Sequence, residues 1–120
     1  MIADCGFTTP YEMIRIFAKK YFKTKEIEMA DAVNCLCRKK AGYDLKEYST
    51  LEAMKNCRVP VFFAHGTEDM LVPYKMTIQN YETCVSEKWL FSAEGAAHTG
   101  SYLSDPERYM GELSEFFRWD

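Results

Sequence analysis

The sequence predicts an α/β fold built on a parallel sheet, and three observations carry that prediction. Short apolar strand patterns alternate with amphipathic helical ones along the whole chain. One of the strands, Val59 to Ala64, is an almost unbroken apolar run interrupted only at Pro60, as expected of a strand buried on both faces. The helical segments between strands are long enough to serve as the crossovers that parallel neighbours require. With 120 residues and 48% hydrophobic composition the chain can bury one core, so residues 1–120 are expected to form a single domain.

Met1 to Cys5 reads as a short apolar strand that turns at Gly6. Thr9, Pro10 and Glu12 then stand as N-cap, first helical residue and third helical residue, the order of a capping box. Met13, Ile14, Phe17, Ala18 and Tyr21 follow at one-face helical spacing. A second helix is expected after Thr24, with a stripe of Ile27, Ala30, Val33, Leu36 and Cys37. Its end carries Arg38, Lys39 and Lys40, where cations suit the helix dipole, and Gly42 is its stop. Ser49 and Glu52 pair as a further capping box for a short helix through Met54 and Lys55. The Val59 to Ala64 strand ends at His65-Gly66. Pro73 opens a helix with Tyr74, Ile78, Tyr81 and Val85 expected inward. Lys88 to Ala93 is the last strand, Glu94 to Gly100 a loop, and Asp105-Pro106 the start of a final helix with Tyr109, Met110, Leu113, Phe116 and Phe117 on one side.

Charge and composition exclude several classes of function. A net charge of −3, with Lys and Arg interspersed among Asp and Glu, gives no basic footprint, so no nucleic-acid partner is expected. No apolar stretch approaches the roughly 20 residues of a membrane helix, and none is expected to enter a bilayer. Residues Met1 to Gly6 lack the charged and apolar regions of a signal peptide, which makes the cytoplasm the expected location. Five cysteines, Cys5, Cys35, Cys37, Cys57 and Cys84, show no framework spacing and read as reduced thiols. Cys35 and Cys37, two apart on a helix, point to different faces. With two histidines and no C-x-x-C, neither a metal site nor a cofactor is expected.

The chemistry concentrates in two loops. In doubly wound sheets the working residues lie beyond the C-terminal ends of the strands. Here one such loop runs from His65 to Pro73 and contains Asp69, and the next runs from Glu94 to His98. Asp69 is therefore placed to accept a hydrogen bond from Nδ1 of His98, the pairing that fixes a histidine base and stabilises its imidazolium. Taken alone, Asp69 also fits a turn or helix cap, and His98 a polar surface or satisfied core histidine. Glu68 reads as a solvated loop residue and His65 as a structural support for the Asp69 loop. Cys5, near the end of the first strand, reads as a small buried residue, although it is the one thiol that could lie beside the site.

His65-Gly66-Thr67-Glu68-Asp69-Met70-Leu71-Val72-Pro73 resembles the H-G-x-x-D-x-x-V-P signature around the triad aspartate of α/β-hydrolases. Gly95-Ala96-Ala97-His98 is similar to the G-x-x-H loop around their triad histidine. Ala3 to Thr8 also resembles the strand that follows the nucleophile-elbow unit, and Tyr48 to Met54 the segment entering the next strand. The resemblance is to bacterial serine hydrolases of the prolyl-oligopeptidase and acyl-esterase branch. It spans almost the whole chain but only the last strands of the family's sheet. It implies a three-layer partial α/β-hydrolase fold of three mainly parallel strands, with helices on both faces and the N-terminal strand at an open edge. It further implies ester or amide hydrolysis of a small-molecule substrate, with Asp69 and His98 as the catalytic pair and no cofactor. The helices between Pro10 and Lys40 stand where such hydrolases insert a cap, and their stripes fit core equally well.

The serine of the family is not in these residues. Its G-x-S-x-G motif precedes the acid, and Ser49, the one serine before Asp69, lacks the flanking glycines. The oxyanion hole, whose donors come from the residue after the nucleophile and from an earlier loop, would also lie outside the chain. Two expectations follow. The chain is the acid-and-base segment of a serine hydrolase, inactive by itself and completed by an N-terminal hydrolase segment, or it is a non-catalytic self-associating module or truncated gene product. A third and remoter reading gives the nucleophile to Ser49 or Cys5. The open edge of the Met1 to Cys5 strand predicts a homodimer formed by joining two such edges.

Overall fold

The computed structural model describes residues 1–23 and 25–119, which form two compact units. One comprises Met1–Phe7 and Leu51–Asp120, and the other Thr8–Thr50. In chain order the elements are β1 (Ile2–Asp4), α1 (Pro10–Phe22), α2 (Glu26–Ala41), α3 (Thr50–Lys55), β2 (Val61–Gly66), α4 (Tyr74–Thr83), β3 (Lys88–Ala93), α5 (Ser101–Ser104) and α6 (Pro106–Phe117).

The first unit holds a three-stranded sheet in the order β1-β2-β3, parallel throughout. Every residue of β2 is buried, as its apolar run requires, and its side chains alternate between two cores. Phe62 and Ala64 point to one face, where they pack with Phe91, Ala93, Ala96, Tyr109 and Leu113 beneath α6. Val61 and Phe63 point to the other, among Met54, Cys84, Tyr81 and Leu90 of the α3 and α4 side. Helices thus cover both faces. Phe62 and Phe91 are fully buried, each contributing about 1.5–3 kcal/mol by removal from water. The Tyr109 ring meets them edge-on, with centroids 5.5 and 5.1 Å away. Among the described residues the second edge of β1 pairs with no strand, and Ile2 is 47% exposed.

Several boundaries differ from the sequence expectation for identifiable reasons. β2 starts at Val61 and continues through His65 and Gly66, whereas Val59 is half exposed ahead of it. Pro60 has no N–H to give the ladder, and the first strand-type bond on this side is Val61 N–H to the Glu87 carbonyl at 2.9 Å. On α4 the buried residues are Met76, Thr77 and Asn80, and Val85 lies beyond the helix, exposed. Two polar residues on the inward face hide that stripe from a hydrophobic count. The short α5 has no counterpart in the sequence reading. β3 has the expected bounds, and α6 begins as expected, with the Asp105 carboxylate accepting the Arg108 N–H at 3.0 Å.

In the second unit Thr9 caps α1 by accepting the Glu12 N–H at 3.0 Å, while the Glu12 carboxylate turns to Arg15. The next helix, expected after Thr24, begins at Glu26. Gly42, at φ 76°, ends α2 by donating its N–H to the Cys37 carbonyl at 3.0 Å. Ala30 is buried with Tyr11 and Leu45, and Val33 and Cys37 pack against them, but Ile27 and Leu36 face solvent. The unit is fastened by polar contacts: Tyr11 Oη donates to Asp31 at 2.8 Å, and the Asn34 side chain bridges Asp44 (2.9 Å) and the Leu45 N–H (2.7 Å). The segment 10–40 falls wholly within this unit.

Candidate active site

All groups of the site belong to the first unit and stand past the C-terminal ends of its strands. The β2 ladder stops at Gly66, and the following turn is closed by Thr67 N–H to the Ala93 carbonyl (3.0 Å) and Glu68 N–H to the Ala96 carbonyl (3.1 Å). This tie between the β2 and β3 loops needs Gly66, because a Cβ there would sit 2.2 Å from the Ala96 oxygen and 2.7 Å from the Ala97 oxygen. The close backbone approach brings the two loops over each other.

Asp69 emerges buried from the first loop, and Glu68, its neighbour, is exposed. Its Oδ1 accepts the N–H groups of Leu71 (2.8 Å) and Val72 (2.9 Å), a local turn that fixes the carboxylate plane. Its Oδ2 meets two imidazoles, Nδ1 of His98 at 2.7 Å and Nε2 of His65 at 2.9 Å. Burial pushes this carboxyl upward, but the His98 hydrogen bond and the Val72 and Leu71 N–H groups outweigh it and hold Asp69 below the usual carboxylate range.

Hydrogen-bond arithmetic sets both tautomers. His65 Nε2 faces two acceptors, Asp69 Oδ2 and the Val72 carbonyl, each at 2.9 Å, so it must carry a proton. In the neutral ring its Nδ1 then accepts from the Thr77 hydroxyl at 2.6 Å. His65 is fully buried and serves as a bracket between β2, α4 and the acid. His98 Nδ1 faces a carboxylate and likewise carries a proton, which leaves the lone pair on Nε2. The His98 side chain is 31% exposed, so this ring is the member of the cluster open to a reactant. A buried carboxylate backing a partly open imidazole in this tautomer has the geometry in which an imidazole can act as a general base.

Cys5 adjoins the pair. Its Sγ and the donor atoms of Asp69 and His98 lie within 4.8 Å of one another, the one group with metal-ligand spacing among the described residues. The Asp69 and His98 atoms bond to each other, and burial, with the Asp4 carboxylate next to it, pushes the Cys5 thiol up to about 11, so in this arrangement the sulfur is protonated. The other four cysteines are also free thiols. Three sets of contacts at the rim were not legible in the sequence: Thr77 on His65, the Leu71 and Val72 N–H groups on Asp69, and the Thr99 N–H on Cys5 at 3.3 Å. The Val-Pro that closes the first loop was the single local hint of the second.

Three parallel strands in the order found, helices on both faces, and an acid and a histidine delivered by the last two strands are arranged as in the C-terminal part of the α/β-hydrolase fold. Solved structures bear out the fold. The acylaminoacyl peptidase of Pyrococcus horikoshii superposes with a TM-score of 0.62 at 17% identity, over 98% of this chain and 19% of that protein. The esterase Pf2001 of Pyrococcus furiosus gives 0.61 at 17% identity, over 98% of this chain and 43% of that one. The esterase RhEst1 of Rhodococcus gives 0.51 at 19% identity, over 95% and 50%. By sequence the chain is 26% identical over 115 residues to YqkD of Bacillus subtilis, described as uncharacterized, and spans 96% of this chain but 38% of that protein. No family model matches the sequence. No helix among the described residues is long and apolar enough to cross a membrane.

Proposed function

We propose that this chain supplies the acid and the base of a Ser-His-Asp hydrolase acting on small-molecule esters or amides. Asp69 orients His98, and His98 Nε2 takes the proton of a serine hydroxyl as that oxygen attacks the substrate carbonyl. The imidazolium so formed lies against the Asp69 carboxylate, then returns its proton to the departing alkoxide or amine. Water repeats the cycle to release the acid. The observation that carries this reading is the 2.7 Å bond from His98 Nδ1 to a carboxylate whose other oxygen is already held by two backbone N–H groups. The nucleophile is assigned to a G-x-S-x-G segment pairing along the free edge of β1, and the oxyanion donors to the residue after that serine and to an earlier loop, so the isolated chain is expected to be inactive. Five unpaired thiols support a cytoplasmic setting.

A fluorophosphonate probe and a chromogenic acetate ester test the assignment. The isolated chain should remain unlabelled, and the chain expressed in frame behind a G-x-S-x-G hydrolase segment should be labelled and turn over the ester, with turnover lost in His98→Ala. Turnover that survives in His98→Ala would refute it, and labelling of the isolated chain would move the nucleophile to Ser49 or Cys5.

The unpaired edge of β1 favours a second reading, a non-catalytic module that self-associates as a homodimer through Met1–Cys5. Light scattering of the isolated chain should then show twice the monomer mass at micromolar concentration. A monodisperse monomer would remove that reading.

A further inference from the structure

Two residues bearing a Cβ adopt the left-handed backbone region at the rim of the sheet: Cys5, at φ 53°, directly after β1, and Thr99, at φ 59°, directly after His98. Such strain persists only where surrounding contacts over-determine it, and it gathers at functional sites. The two strained residues are bonded to each other, Thr99 N–H donating to Cys5 Sγ at 3.3 Å. Cys5 is itself held from two sides, by its backbone and by its sulfur. Cys5 N–H donates to the Ala64 carbonyl at 2.9 Å, prolonging the β1–β2 ladder, and the thiol donates to Asp4 Oδ1 at 3.0 Å. That carboxylate oxygen also accepts the buried Ser101 hydroxyl at 2.8 Å, three residues beyond His98. The far end of the histidine loop is therefore tied to β1 twice, through Thr99 and through Ser101.

We propose that Cys5 is a positioning residue for His98: its sulfur latches the backbone immediately after the histidine and so holds the imidazole against Asp69. The consequence for proton transfer rests on the hydrolase reading above, whereas the positioning itself does not. The latch works as a neutral thiol. A thiolate next to His98 would compete with Asp69 for the Nδ1 proton, and the Asp4 carboxylate and burial both keep the sulfur protonated.

The test compares Cys5→Gly, Cys5→Ala and Cys5→Ser in the 120-residue chain by NMR, reading the exchange of the His98 Nδ1–H and the Thr99 amide with solvent. Glycine accepts positive φ without strain, so Cys5→Gly removes the latch while sparing the strand end, and thermal unfolding checks that the fold persists. In Cys5→Gly and Cys5→Ala both protons should exchange about tenfold faster or more, as expected when a local bond opens, and Cys5→Ser, which keeps an acceptor, should stay near the wild-type rate. If Cys5→Gly does not fold, Cys5→Ala carries the comparison. Wild-type exchange in the glycine and alanine variants would overturn the latch, as would exchange in Cys5→Ser as fast as theirs. Failure of the two readings is distinguishable: a serine-completed protein silent toward esters, with this Cys5 dependence intact, sinks the hydrolase and leaves the latch.

Discussion

Replacing Asp69 by asparagine separates what the carboxylate does for stability from what it does for His98. Four hydrogen bonds end on it, from the Leu71 and Val72 N–H groups to Oδ1 and from His65 Nε2 and His98 Nδ1 to Oδ2. In the asparagine variant the amide oxygen can keep the two backbone donors, but as neutral bonds, at a loss of about 1 kcal/mol each. The amide NH2 then confronts His65 Nε2–H donor to donor, and that bond is lost for roughly another 1 kcal/mol. His98 can still pair with the NH2 by moving its proton from Nδ1 to Nε2. The total is about 3 kcal/mol, and the tautomer change removes the lone pair from the nitrogen that would act as base. Urea unfolding at neutral pH measures the first quantity and nitrogen-15 NMR of the imidazole the second. A loss below about 1 kcal/mol, or an asparagine variant that keeps the His98 proton on Nδ1, would refute the reasoning. The sign of the pH dependence follows from the lowered Asp69 carboxyl. Its contribution is complete above the unfolded-state value of about 3.9 and fades as the pH falls through the lower folded-state value, so the gap between wild type and variant should close in acid and not in base.

Two further outcomes are expected. Gly66→Ala forces a Cβ to within 2.2 Å of the Ala96 carbonyl oxygen, so the β3 loop must move; denaturant titration should show a loss of about 2 kcal/mol or more, together with a shifted His98 resonance. Thr77→Val keeps the shape of the side chain but leaves buried His65 Nδ1 without its 2.6 Å partner, which should cost about 1–3 kcal/mol, while Thr77→Ser, which restores the hydroxyl, should recover most of it; equal losses in the two variants would mean that packing and not the hydrogen bond is at stake.

The alternation of strands and helices, the bounds of Lys88–Ala93 and the Asp105 start of the last helix could be read from the sequence because each rests on local chemistry, periodicity or a cap. The same local logic located Asp69 and His98 at the ends of successive strands. What it could not supply is anything set by contacts between distant segments. Thr77 and Asn80 look like solvent-facing residues of α4, yet they are buried because His65 and the Phe7 carbonyl give them partners from other elements. Ile27 and Leu36 look like core, yet the unit that holds them leaves them exposed. The Cys5 backbone angle is fixed by Ala64 on one side and Thr99 on the other, and no pattern of neighbouring residue types announces it.

Asp69 and His98 are carried by different strands, and their separation is therefore set by how β3 is aligned beside β2, with Gly66 facing Ala93. Sliding one strand past the other by a single residue would displace the histidine by about 3.3 Å, more than the whole length of the bond it makes, and would turn Phe91 out of the aromatic core at the same time. The chain cannot lose the Asp69–His98 pair by degrees along this coordinate. Correct alignment of two buried strands delivers the pair complete, and a slip of one residue forfeits the pair and the core together.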